Sequence, residues 1–223
     1  MDNQSKEKLQ AIASQLARPQ GEKGIEIGQM MNETNIGMTL SAIESLNLAS
    51  EDRILELGHG NCGHLKVLLS KADKLRYTGL EISDTMQQQA IDMNNELFED
   101  YKIDFQLFDG NQIPFNENSF SKIFTVNTLY FWQEPLSFLK EIYRVLGTNG
   151  LFALVFAQKE FMASLPFTEH GFQLYDSSSV ENLLNQTEFN TVSVTDYSEW
   201  VKSKTGEQVQ RMYTVFLLSK NQN

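Results

Sequence analysis

Apolar positions along the chain switch between a helical and a strand-like spacing, and that switching sets the expected elements. Leu9, Ile12, Ala13 and Leu16 recur at helical spacing and stop before Pro19 and Gly21, which predicts an opening amphipathic helix. Gly24 to Asn35 breaks the pattern and is expected to be irregular, with Thr34 or Asn35 capping a second helix that carries Met38, Leu40, Ile43 and Leu46. Ile54, Leu55 and Leu57 then form a near-continuous apolar run, as a parallel strand buried on both faces requires, and Leu65, Val67, Leu68 and Leu69 begin a helix. Further strands are predicted at Tyr77 to Ile82, Ile103 to Phe108, Phe120 to Val126 and Leu151 to Phe156. Helices are predicted after Asp84 and from Pro135 to Leu146. An irregular aromatic-rich stretch from Gln158 to Asp176 precedes a helix, Ser177 to Thr187. Two closing strands, Thr191 to Tyr197 and Met212 to Ser219, are joined through a polar turn around Thr205-Gly206. This alternation predicts a single α/β domain built as a doubly wound, Rossmann-like sheet. Residues 1–50 are expected to be a helical extension or lid, and residues 51–223 the domain proper.

The candidate chemistry sits where the first strand meets a glycine-rich turn, Glu56-Leu57-Gly58-His59-Gly60-Asn61-Cys62-Gly63. Gly58 and Gly60 let backbone amides approach a ligand closely, and the helix that follows turns its free N–H groups to the same spot. Gly58, Gly60 and Gly63 also satisfy G-x-G-x-x-G, a weak dinucleotide signal by itself. Glu56 changes that reading, because a carboxylate at the strand end repels a pyrophosphate and favours a cationic or amine-bearing ligand. Glu81 ends the second strand about twenty residues on, where an acid can accept hydrogen bonds from both hydroxyls of a ribose. Asp109-Gly110 ends the third strand. Asn127 to Trp132 follows the fourth, at the sheet edge where ligands of open α/β folds bind.

Glu56 to Gly60 resembles the first motif, E/D-x-G-x-G-x-G, of class I S-adenosylmethionine-dependent methyltransferases, with Cys62 in the place of the third glycine. Ile113-Pro114-Phe115 with the turn before Phe120 resembles the same family, although Ser121 replaces its usual acid. Pro135 to Leu146 with Asn149-Gly150 and the following apolar strand is similar to the type 11 small-molecule members. The resemblance implies a mostly parallel seven-stranded sheet with the last strand antiparallel, and methyl transfer from S-adenosylmethionine to a small-molecule acceptor. It also implies a cofactor site made of Glu56, Gly58, Gly60, Asn61, Cys62, Glu81, Ile82, Asp109, Gly110 and Asn127. Ile82 would face the adenine and Asp109 its exocyclic amine. Phe167 to Phe172 resembles an acceptor-covering segment. His170 and Tyr130 are the candidates should a general base be used, and neither is assigned. A non-catalytic S-adenosylmethionine-binding protein and an NAD-binding oxidoreductase are the alternatives. The second lacks the Tyr-x-x-x-Lys pair of short-chain dehydrogenases.

Composition narrows the partners. A net charge of −11 and no run of Lys or Arg argue against nucleic acid or an anionic membrane as partner. The longest apolar run, Leu151 to Ala157, is too short to span a bilayer, and a single cysteine forms no internal disulfide, so a cytoplasmic protein is expected. His59, Cys62 and His64 lie close in sequence, but a helix start does not readily turn all three toward one ion and no fourth ligand is evident, so no metal is expected.

Overall fold

The computed structural model describes residues 3–202 and 208–221. Seven strands form one sheet in the order β3-β2-β1-β4-β5-β7-β6. They are β1 (Arg53–Leu57), β2 (Arg76–Glu81), β3 (Lys102–Leu107), β4 (Phe120–Val126), β5 (Leu146–Ala157), β6 (Asn190–Lys202) and β7 (Gln208–Ser219). The strands from β3 through β5 pair in parallel, and β7 runs antiparallel to both β5 and β6. The predicted doubly wound sheet with an antiparallel last strand is therefore the observed one. The order reverses between β1 and β4, so the crevice beyond their carboxyl ends is the topological switch point where such sheets hold ligands.

Burial explains why these strands read so clearly. Ile54, Leu55, Ile123, Phe124 and Phe152 to Phe156 are essentially inaccessible, because helices cover both faces of the central strands. The helices are α1 (Asn3–Ala17), α2 (Gly21–Ser45), α3 (Leu65–Leu69), α4 (Asp84–Met93), α5 (Pro135–Val145), α6 (Lys159–Ala163) and α7 (Ser177–Leu184). Pro135 occupies the first turn of α5, where its missing N–H costs nothing, and Phe138, Leu139, Ile142 and Val145 form the face packed on the sheet. None of the helices is long and apolar enough to cross a membrane among the described residues.

Two expectations are corrected. Residues Gly24 to Asn35 are not irregular; they belong to the single 25-residue helix α2. Its glycines serve close packing rather than breaks: a Cβ on Gly24 would lie 2.7 Å from the Pro19 backbone, and one on Gly28 would lie 2.4 Å from Met86 Sδ. Thr34 caps nothing, since its hydroxyl donates back to Met30 O at 2.8 Å inside the same helix. The closing strands are also longer than predicted, and the turn expected at Thr205-Gly206 lies outside the described residues.

The stretch from Gln158 to Asp176 is packed in place. Phe172 meets Phe131 with ring centroids 4.6 Å apart, Gln173 N donates to Tyr130 O at 3.0 Å, and Thr168 and Tyr175 are buried. It also packs against α1. The element lying over the mouth of the switch point is α2 instead.

Candidate functional site

The carboxyl ends of β1, β2 and β4 open into a cavity roofed by α2. Its floor is the turn after β1. Gly58 and Gly60 have φ of +74° and +56°, and a Cβ on Gly58 would meet the Thr128 methyl at 2.5 Å, so only glycine fits there. Of the ten residues implicated by sequence, Glu56, Gly58, Gly60, Asn61, Glu81, Ile82, Gly110 and Asn127 line this one cavity. Cys62 and Asp109 do not.

Glu81 is the best-anchored group in the site. One oxygen accepts from Gly60 N at 2.9 Å and the other from Ile82 N at 2.8 Å and Ser83 N at 3.1 Å, which ties the end of β2 to the glycine turn. Four carboxylate lone-pair directions against three amide donors leave acceptor capacity for a ligand. Ile82 lies beside Gly110, where a Cβ would come 3.3 Å from its Cγ2. Phe108, Phe131, Trp132 and Phe138 add aromatic wall, with Trp132 edge-on to Phe138 at 4.8 Å.

Asp109 is exposed, and its Oδ1 accepts from the amides of Asn111 at 2.8 Å and Gln112 at 2.9 Å. Those bonds hold its pKa below the usual carboxylate value. It shapes the loop after β3, with its carboxylate outside the cavity wall.

Glu56 is engaged differently. Its Oε2 accepts from His64 Nε2 at 2.8 Å and from the Tyr77 hydroxyl, and Cys62 Sγ lies 3.1 Å from that hydroxyl. All four residues are at most 4% exposed. Burial works against a charge on His64, but the Glu56 carboxylate overrides it and holds the pKa well above the ordinary histidine value. The turn thus carries a buried imidazolium–carboxylate pair. Cys62 has a φ of +53°, the strain expected where relatives of the motif use glycine, and its side chain points into the core. Burial pushes its thiol pKa up.

His59 behaves as a third kind of group. Burial lowers its pKa despite nearby Glu81 and Glu56, so the neutral ring donates Nδ1–H to Gly60 O at 2.7 Å. Nε2 is left as a buried acceptor without a partner among the described residues. The ring packs 4.8 Å from Phe105.

Asn127, at φ +58°, accepts from Ala157 N at 3.0 Å and from Tyr130, and its amide reaches Met38 Sδ of α2 at 3.4 Å. Tyr130 lies within hydrogen-bond reach of two acceptors, Ala157 O at 2.8 Å and Asn127 Oδ1 at 3.0 Å, and burial raises its pKa strongly. It cannot take up a proton as a base, and His170 is not part of the cavity wall. His64 and Tyr77 went unrecognised in the sequence as parts of the cofactor site, whereas Met31, Asn32, Asn35 and Thr39 of α2 belong to the stretch expected as an extension or lid. The one available signal was the excess of ionisable residues in the turn.

A parallel sheet of this order, with an acid ending β1 and β2 and a positive-φ glycine turn between them, defines the class I methyltransferase architecture. The chain matches the family described as "Methyltransferase domain" over residues 55–154. Over that stretch, somewhat under half of its length, the chain is similar to that methyltransferase family. Its relatives include YrhH of Bacillus subtilis (strain 168), which bears a provisional methyltransferase name, at 31% identity over 116 residues. That match covers 49% of this chain and 60% of YrhH. The 27-O-demethylrifamycin SV methyltransferase of Amycolatopsis mediterranei (strain S699) is 25% identical over 56% of this chain and 45% of its own length. The chain thus spans less than two thirds of either curated relative. Among solved structures, a chain of the complex between the Haloferax volcanii Trm112 methyltransferase activator and a methyltransferase superposes with a TM-score of 0.73. It is 16% identical, over 88% of this chain and 95% of that one.

Proposed function

We propose that this protein transfers a methyl group from S-adenosylmethionine to a small uncharged or cationic acceptor, with both held in the cavity under α2. The carrying observation is that Glu56 and Glu81, ending adjacent parallel strands, face one cavity whose described lining contains no Lys or Arg, with Glu56 offset by His64 and Glu81 left as the net negative group. Such a wall favours a ligand that bears positive charge and no phosphate. The cofactor fits on three counts: Glu81 retains acceptor capacity, Gly58 and Gly60 leave the turn bare, and Ile82 with Phe108 offers apolar surface for a base.

Within this reading, Glu81, anchored by the Gly60 amide, holds the ribose end, Ile82 and Gly110 flank the adenine, and Glu56 with Asn61 and Asn127 border the methionine end. Asp109 keeps its loop in shape and offers its second oxygen at the rim. Once bound, the cofactor supplies an electrophilic methyl group. The chain's own task is to align an acceptor lone pair and exclude water, through Met31, Asn32, Asn35 and Thr39 of α2 and the aromatic wall. Among the described residues no base is placed at the acceptor end, so intrinsic nucleophilicity of the acceptor, as in an amine, thiol or activated carbon, suits this site better than an unactivated alcohol. Residues 1–50 act in this reading as the cover of the site, through α2.

The test is to incubate the protein with S-adenosylmethionine and a fractionated metabolite extract, following methylated products and S-adenosylhomocysteine by mass spectrometry. Acceptor-dependent release of S-adenosylhomocysteine is expected. Tight cofactor binding with no product from any fraction would favour a non-catalytic binding protein.

A further inference from the structure

We propose that Glu56, Cys62 and His64 form a divalent-metal site, with zinc the ion they suit best. A carboxylate oxygen, a thiol sulfur and an imidazole nitrogen from these residues all lie within 4.8 Å of one another. His64 Nε2 is 2.8 Å from Glu56 Oε2 and 4.0 Å from Cys62 Sγ. Donors around a tetrahedral zinc, at bond lengths of about 2.0–2.3 Å, sit about 3.3–3.7 Å apart, so the set closes on an ion with shifts of roughly an ångström or less.

Neighbouring sequence alone does not reveal this set. The histidine that separates from it is His59, which turns to Gly60 O and Phe105, and its place is taken by Glu56 from β1. Tyr77 on β2 donates to the same Glu56 oxygen, the outer contact that commonly orients a ligating carboxylate. Burying three ionisable side chains at one point is costly, and packing would ask for apolar groups there instead.

When a dication enters, the proton on His64 Nε2 and the S–H proton of Cys62 leave to solvent, and metal–nitrogen, metal–sulfur and metal–oxygen bonds form in their place. Thiolate and imidazole donors together favour zinc over magnesium or calcium. Glu56 and His64 also line the cavity whereas Cys62 does not, so a fourth coordination position faces the cavity, open to water or to a donor atom of a bound ligand. This inference does not depend on methyl transfer, because its readout is metal content.

The untagged protein, stripped with a chelating resin, is equilibrated with excess zinc, gel-filtered and assayed by plasma mass spectrometry. About one zinc per chain is expected, falling below about a tenth of that in Cys62→Ser and His64→Gln and unchanged in His170→Gln. Because either of the first two could fail to fold, wild-type protein is also titrated with cobalt, where a thiolate-to-cobalt charge-transfer band is expected at one equivalent. Absence of zinc from the wild type, equal zinc in a folded Cys62→Ser variant, or a cobalt complex without a thiolate band would each overturn the proposal.

Discussion

Replacing Glu81 by alanine is expected to weaken S-adenosylhomocysteine binding by at least about a hundredfold, since two charge-assisted hydrogen bonds at roughly 1.5–3 kcal/mol each would be lost. The effect has two sources. One is direct, the loss of an acceptor facing the ribose. The other runs through the turn, because the same carboxylate fixes Gly60 N and the two amides that open α4. Glu81→Gln keeps one carbonyl oxygen for those amides and should fall between the wild type and alanine. Calorimetry reads the affinities, and circular dichroism checks that the sheet persists. Unchanged affinity in a folded Glu81→Ala protein would make the residue a support for the loop only.

Arg211→Met is expected to lower stability by about 2–3 kcal/mol, which for a chain of this size is a fall in Tm of roughly 5–10 °C. Arg211 is nearly buried and reaches Glu199 at 2.6 Å, Asn35 Oδ1 at 2.9 Å and Thr34 O at 2.5 Å, so it joins the β6–β7 pair to α2. Glu199 retains some exposure, which keeps the cost of leaving it unpaired below that of a fully buried acid. Because Asn35 and Thr39 line the cavity, cofactor affinity should fall as well, and hydrogen exchange in residues 31–39 should accelerate. Arg211→Lys preserves the charge but cannot fork to three partners, and should recover only part of the loss. A Tm within about a degree of wild type would show that α2 does not depend on Arg211 for its place on the sheet.

The strands were legible because a strand buried on both faces must be mostly apolar, as Ile54, Leu55 and Leu57 and the run from Leu151 to Phe156 are. Glu56 and Glu81 stood out for the complementary reason, as acids closing such runs. What stayed hidden depends on contacts between distant parts of the chain. The glycines of α2 look like breaks until Pro19, Met86 and Glu199 are seen pressed against them. Tyr77 is 21 residues from Glu56, yet both belong to one cluster. Arg211 meets Thr34 across 177 positions. Asp109 was read as a ligand contact from its place after β3; one of its oxygens is taken by its own loop, and the residue lies outside the cavity lining. Cys62 was read from its place in the motif, yet its side chain turned to the core.

The most direct test of the site is a pair of calorimetric titrations on wild-type protein, one with S-adenosylhomocysteine and one with NADH. A cavity bordered by Glu56 and Glu81 without Lys or Arg should take up S-adenosylhomocysteine at one per chain and show no saturable heat with NADH. NADH binding more tightly than S-adenosylhomocysteine would contradict it.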